Sequence, residues 1–185
     1  GIDVTTKNIT YCTAGMYENA LTTAGVTDAN VTVAGPFNIT GTAALVGAMN
    51  AYEDMTGENI SSESKDAATN ELVVTSKLAD QLNDSEKAEQ FLALIKEKVL
   101  SDDAKTKEDI NTIIDECSRD LDVNITDDQR EQIAELMDKI LESNGFDRYT
   151  TNELPRYRDN DIDLLVNVRK YRFFDWQLEK LRNED

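Results

Sequence analysis

The chain has 185 residues, 39% of them hydrophobic, which is enough for one domain with an ordinary core, or for a small domain with an extension. Its net charge of −18 and pI near 4.3 argue against nucleic acid and anionic membranes as partners, since both need basic surface. Histidine is absent, so no Ser–His–Asp triad, Cys–His dyad, histidine-ligated zinc site or histidine general acid–base step can be built within it.

The charge is uneven. Residues 1–147 hold 11 Lys/Arg and 29 Asp/Glu, whereas residues 148–185 hold 8 of each and are neutral. No apolar run approaches the ~20 residues of a transmembrane helix. Gly1 leads straight into a strand pattern with no signal peptide before it, and the sequence reads as a trimmed piece of a longer chain. Cys12 and Cys117 are too few and too far apart for a disulfide framework. A bridge between them is one reading; two unpaired small hydrophobes is the favoured one.

Ile2 to Cys12 alternates at high β-propensity and predicts a strand. Thr13 then caps a short helix, about Gly15 to Ala24, with Met16, Tyr17, Ala20 and Leu21 inward and Gly25 as its stop. Val31 and Val33 mark a second strand over 30–35, which Pro36 should end. Strand, helix and strand make a βαβ unit, so the two strands are expected to be parallel. Two strands are too few for an independent sheet, and an open edge of this kind is expected to pair with further strands or with another chain.

The stretch Asn30–Gly57 organises this portion. After a turn at Asn38–Gly41, Thr40 or Thr42 is the expected N-cap of a helix that closes at Gly57. Ala43, Ala44, Gly47, Ala48 and Ala51 recur at helical spacing, and this small-residue face is expected to seat the sheet. The glycines do not make a phosphate loop: Gly35 to Gly41 is one residue too long for the Walker spacing, and Thr42 stands where the lysine belongs.

After Gly57 only helical periodicity remains. Helices are expected from Ser61 or Ser62 to about Leu82, from Asp84 as N-cap to about Leu100, from about Lys107 to Leu121, and from Thr126 to Gly145. Thr126 and Gln129 form a capping box. Short connections imply antiparallel neighbours in a bundle. Phe146 to Asp161 reads as a polar linker. Ile162 to Leu181, with Tyr171, Phe173, Phe174 and Trp176, reads as an aromatic helix and, less well, as containing a strand at Leu164–Val168.

The sharpest metal candidate is Asp120, Asp122, Asn124, Thr126, Asp128 and Glu131, whose spacing matches the oxygen ligands of a calcium-binding EF-hand loop. Ile125 occupies the position that needs glycine, Asp127 occupies the usual apolar position, and the capping box already accounts for the segment. Asp159, Asp161 and Asp163 alternate without a glutamate at the right distance after them and read as a solvated helix entry. Asn-x-Ser/Thr triplets at Asn8, Asn30, Asn38, Asn59, Asn83 and Asn124 fall largely in expected strands and caps and are taken as composition. No pair of carboxylates stands out for acid hydrolysis.

Asn8-Ile9-Thr10, Met16-Tyr17, Asn19-Ala20-Leu21, Thr23-Ala24-Gly25-Val26, Pro36-Phe37, Gly41-Thr42-Ala43-Ala44-Leu45, Ala51-Tyr52-Glu53 and Thr56-Gly57, together with Glu71 to Thr75, form a recognisable set. In these residues the chain resembles the YpuA-like proteins of Gram-positive bacteria, a domain of unknown function (family 1002), over residues ~1–145. The resemblance implies an exported protein with a further N-terminal portion before the equivalent of Gly1. It supplies no catalytic residue.

The expected fold is α+β and predominantly helical: a βαβα portion over 1–57, a helical bundle over 58–145 that continues the same domain, and a linker with an aromatic C-terminal helix over 146–185. The expected function is non-enzymatic: a secreted or envelope-associated interaction module at the Gram-positive cell surface, with an unknown protein or envelope partner and no cofactor. The competing expectations are a carboxylate-dependent hydrolase of cell-surface polymer and a calcium-stabilised structural protein.

Overall fold

The computed structural model describes residues 1–144 apart from positions 103 and 105. The expected helix stop at Gly145, the linker, the aromatic helix and the Asp159–Asp163 cluster lie outside the described residues. In chain order the elements are β1 (Ile2–Ile9), α1 (Ala14–Thr23), β2 (Ala29–Ile39), α2 (Ala44–Thr56), α3 (Ser62–Leu82), α4 (Ser85–Ser101), α5 (Lys107–Asp120) and α6 (Asp127–Ser143). The architecture is α+β and mostly helical, as the periodicity predicts.

The two strands pair in parallel, with Ile2 opposite Ala29 and Lys7 opposite Ala34. The pairing then shifts, so that Ile9 faces Ile39. β2 therefore does not end at Pro36. Residues 35–38 bulge out opposite Asn8, and Pro36 sits in that bulge, where a missing N–H costs no ladder bond. Asn8 takes a left-handed φ of 59° and its Nδ2 donates to the Gly35 carbonyl at 2.8 Å, which fixes the bulge.

α2 also differs from the sequence reading. Its N-cap is Ala43, which makes no side-chain cap, and neither Thr40 nor Thr42 fills that role. The chain reaches the helix through Gly41 at φ 96°, and the Ala44 N–H closes the turn on the Gly41 carbonyl at 2.9 Å. The small-residue face does not seat the sheet. Leu45 and Met49 are the buried residues of α2, while Ala43, Gly47 and Ala51 are exposed. The sheet rests chiefly on α1 instead, with Val4 and Val33 buried beneath it. Two large apolar side chains at i and i+4 outcompete a stripe of alanines, because each buries several times more area. Gly57 does close α2, at φ 73°.

α3 is the central helix: α1, α4 and α6 all pack on it. Asn83 at φ 51° ends α3, and Asp84 caps α4 at once by accepting from the Lys87 N–H at 2.9 Å. So tight a junction makes α3 and α4 antiparallel. α5 opens on a Thr106–Asp109 capping box, and α6 on the expected Thr126–Gln129 box. One core cluster runs from Val4 to Leu141 and joins the strands to the bundle.

Candidate functional site

The surface that chemistry leaves unfinished is the sheet. Among the described residues, β1 and β2 pair only with each other, so each is an edge strand. The Ala29 N–H donates to the Gly1 carbonyl at 3.2 Å, so odd-numbered backbone groups face the partner strand. Even-numbered groups face outward: Ile2, Val4 and Thr6 on β1, and Asn30, Thr32 and Ala34 on β2. Glu18 of α1 takes the outward Val4 N–H at 3.3 Å. Asn30, Thr32 and Ala34 are all exposed. Past them, the bulge carries Phe37, which is 70% exposed. The outer face of the sheet is polar, with the Thr5 and Thr32 hydroxyls 3.3 Å apart. The edge thus offers a row of donors and acceptors beside a single aromatic anchor.

Inside the bundle lies a charged cluster that periodicity does not reveal. Glu71 of α3 is fully buried. One of its oxygens takes a hydrogen bond from the Thr23 hydroxyl of α1, and the other meets Lys96 Nζ of α4 at 2.7 Å. Lys96 also donates to the Asn19 carbonyl and to Thr23 Oγ1, both at 3.0 Å. Each charge is therefore matched and hydrogen-bonded, which is the condition for keeping a buried pair. The cluster pins three helices together. The two best-formed depressions among the described residues are lined by other residues.

Glu89 of α4 sits over the first turn of α1. It accepts from the Thr13 hydroxyl and packs so tightly on Gly15 that a β-carbon there would collide with its carboxylate. Burial pushes its pKa up, opposed by the Thr13 hydrogen bond and reinforced by the charges of Glu18 and Glu86. Tyr17 donates to the Gly41 carbonyl at 2.5 Å, tying α1 to the turn before α2, and burial holds its phenol well above the usual range.

Cys12 and Cys117 are both free and buried. Burial raises both thiols, so neither has the depressed pKa of a reactive cysteine.

The residues matching a calcium loop are not gathered around a point. Asp120 pairs with Lys98 at 3.2 Å, and Glu131 with Lys107. Asp122 turns the chain at φ 49°, and its carbonyl accepts from Lys87 at 2.9 Å. Asp128 lies in the first turn of α6. Asn124 and Asp122 line an open depression of about 480 Å³ with Asp115 and Arg119, and Asp115 is already held by Arg130 at 2.6 Å. Among the described residues, no three acidic or sulfur-bearing side chains converge as a metal site. No described helix is long and apolar enough to cross a membrane.

No solved structure matches the chain. Among curated proteins it is similar to the "Uncharacterized protein YpuA" of Bacillus subtilis (strain 168), with 43% identity over 141 residues. That match takes in 76% of this chain and 48% of the relative, so the chain spans about half the length of the curated relative it matches. The model of the family described as "Protein of unknown function (DUF1002)" covers residues 1–154. By both matches, the chain belongs to the DUF1002 family of proteins of unknown function.

Proposed function

We propose that this chain is a non-enzymatic interaction module of the Gram-positive cell envelope, which engages a protein partner or a second copy by strand pairing along its sheet edge. The observation that supports the reading is the outer edge of β2, where Asn30, Thr32 and Ala34 present backbone groups that no described strand takes up. Strand addition at such an edge gains affinity from main-chain hydrogen bonds. The exported location is carried over from the family resemblance, and the strongly acidic surface is compatible with it.

A photoreactive side chain at position 34, on the same exposed edge, tests the reading in a Gram-positive host that exports the protein. The expected result is a discrete crosslink, to an envelope protein or to a second copy, which Thr32→Pro abolishes. The Thr32 N–H points away from β1, so the proline removes an edge donor and leaves the ladder intact. Cytoplasmic retention of the full-length protein, or a crosslink indifferent to Thr32→Pro, overturns it.

A further inference from the structure

The chain carries charge throughout its length except in one run. Residues 29–52, from β2 through the Gly41 turn to Tyr52 in α2, have no Asp, Glu, Lys or Arg in 24 positions. The next longest uncharged run, residues 8–17, has ten. Burial does not explain the difference. Twelve of the 24 residues are exposed, whereas α6 exposes seven residues, of which six are charged. Among the described residues three large hydrophobic side chains are exposed; Phe37 and Val46 lie in the run, and Met55 follows it. A solvent-facing stretch without charge, on a protein of net charge −18, is the pattern of a contact surface.

The two edges of the sheet differ in the same sense. β1 carries Asp3 and Lys7, and Glu18 takes up its outward Val4 N–H, devices that keep an edge from pairing. β2 has no charge along its length. Its outward groups at Asn30, Thr32 and Ala34 stay open until the bulge at Pro36 ends the regular edge.

Charge also selects the occupant. A cationic partner is matched by acids at the contact, and this run has none. A second copy brings its own −18, so two copies approach closely only through a surface free of charge, which this run supplies. The edge is self-complementary as well. A two-fold axis at Thr32 sets two β2 strands antiparallel, with Thr32 opposite the partner's Thr32 and Asn30 opposite the partner's Ala34. Each of these residues then exchanges both backbone hydrogen bonds with its opposite. The two-stranded sheet becomes four-stranded, a size that is stable on its own.

We infer, granting the strand pairing proposed for this edge, that its occupant is a second copy of the chain, joined antiparallel along β2 about a two-fold axis at Thr32.

Sedimentation velocity of the full chain tests this, with the fold of each variant checked by far-ultraviolet circular dichroism. The wild type is expected to form a dimer whose share grows with concentration. Thr32→Glu and Thr32→Lys each set like charges opposite one another across the axis, and each alone should sediment as a monomer. An equimolar mixture of the two should recover the dimer, because opposite charges then meet. A wild type that stays monomeric at every concentration overturns the inference. In that case a crosslink from position 34 to an envelope protein still supports strand pairing with another partner, and loss of the crosslink removes both. A dimer that survives in both single variants lies on a different surface and overturns it. So does a mixture that remains monomeric, because only this register sets position 32 against itself.

Discussion

The Glu71 carboxylate meets the Lys96 ammonium at 2.7 Å in the interior, and Thr23 closes the arrangement from a third helix. Removing one charge strands the other. Lys96→Met is expected to destabilise the protein by about 3–5 kcal/mol in urea titration at neutral pH. Thr23→Val should cost less, about 1–3 kcal/mol, because Lys96 still covers the carboxylate. The double variant Glu71→Leu/Lys96→Met should recover much of the single loss. A Lys96→Met cost indistinguishable from zero would show that the pair does not hold the three helices.

Glu89 gives a pH dependence of opposite sense to an ordinary paired carboxylate. Its folded pKa is raised, so the native state binds its proton more tightly than the unfolded chain does. Its contribution is fully present below the unfolded value, near the ordinary 4.5, and is lost as pH rises through the higher folded value. Glu89→Gln keeps an acceptor for Thr13 and removes the charge. Its melting temperature should exceed that of the wild type at pH 7, and the gain should disappear at pH 4. A variant that is less stable at both pH values contradicts the assignment.

The two thiols should be silent in the folded protein. A thiol reagent such as dithionitrobenzoate is expected to label neither Cys12 nor Cys117 in native buffer at pH 8, and both in guanidinium. Burial both blocks access and suppresses the thiolate. Rapid native labelling of either residue would place it outside the core.

Thr126 caps α6. Its hydroxyl accepts from the Gln129 N–H at 3.2 Å, and Gln129 returns the bond to the Thr126 N–H at 2.6 Å. Thr126→Ala should cost about 1 kcal/mol. Excess calcium or a chelator should leave the melting temperature of wild type and variant unchanged, since Lys98 and Lys107 already occupy Asp120 and Glu131. A calcium-dependent rise in the wild type that the variant loses would reverse this reading.

The helices were legible because their information is local. Thr13, Ser61, Asp84 and Thr126 all cap the helices that the sequence places after them, and the stripes through Phe91–Ile95 and Ile133–Leu141 are buried. What depended on distant contacts was not legible. The continuation of β2 through Pro36 rests on Asn8, far earlier in the chain. Glu71 reads as a wet residue until Lys96 and Thr23 arrive from other helices. The outward turn of Gly47 and Ala51 results from Leu45 and Met49 claiming the inner side, a competition that spacing alone does not decide. For the open edge, the count of strands was informative: two parallel strands already imply unfinished pairing.

The strands are also lightly anchored. Of their residues only Val4, Val33 and Gly35 are buried, while α3 alone buries ten. Stability is thus unevenly distributed, and the β1–β2 ladder is expected to open before the bundle does. Its amides should exchange with deuterium sooner than those of α3. An incoming strand would then meet a pair of strands able to part and re-form around it, at little cost to the rest of the fold.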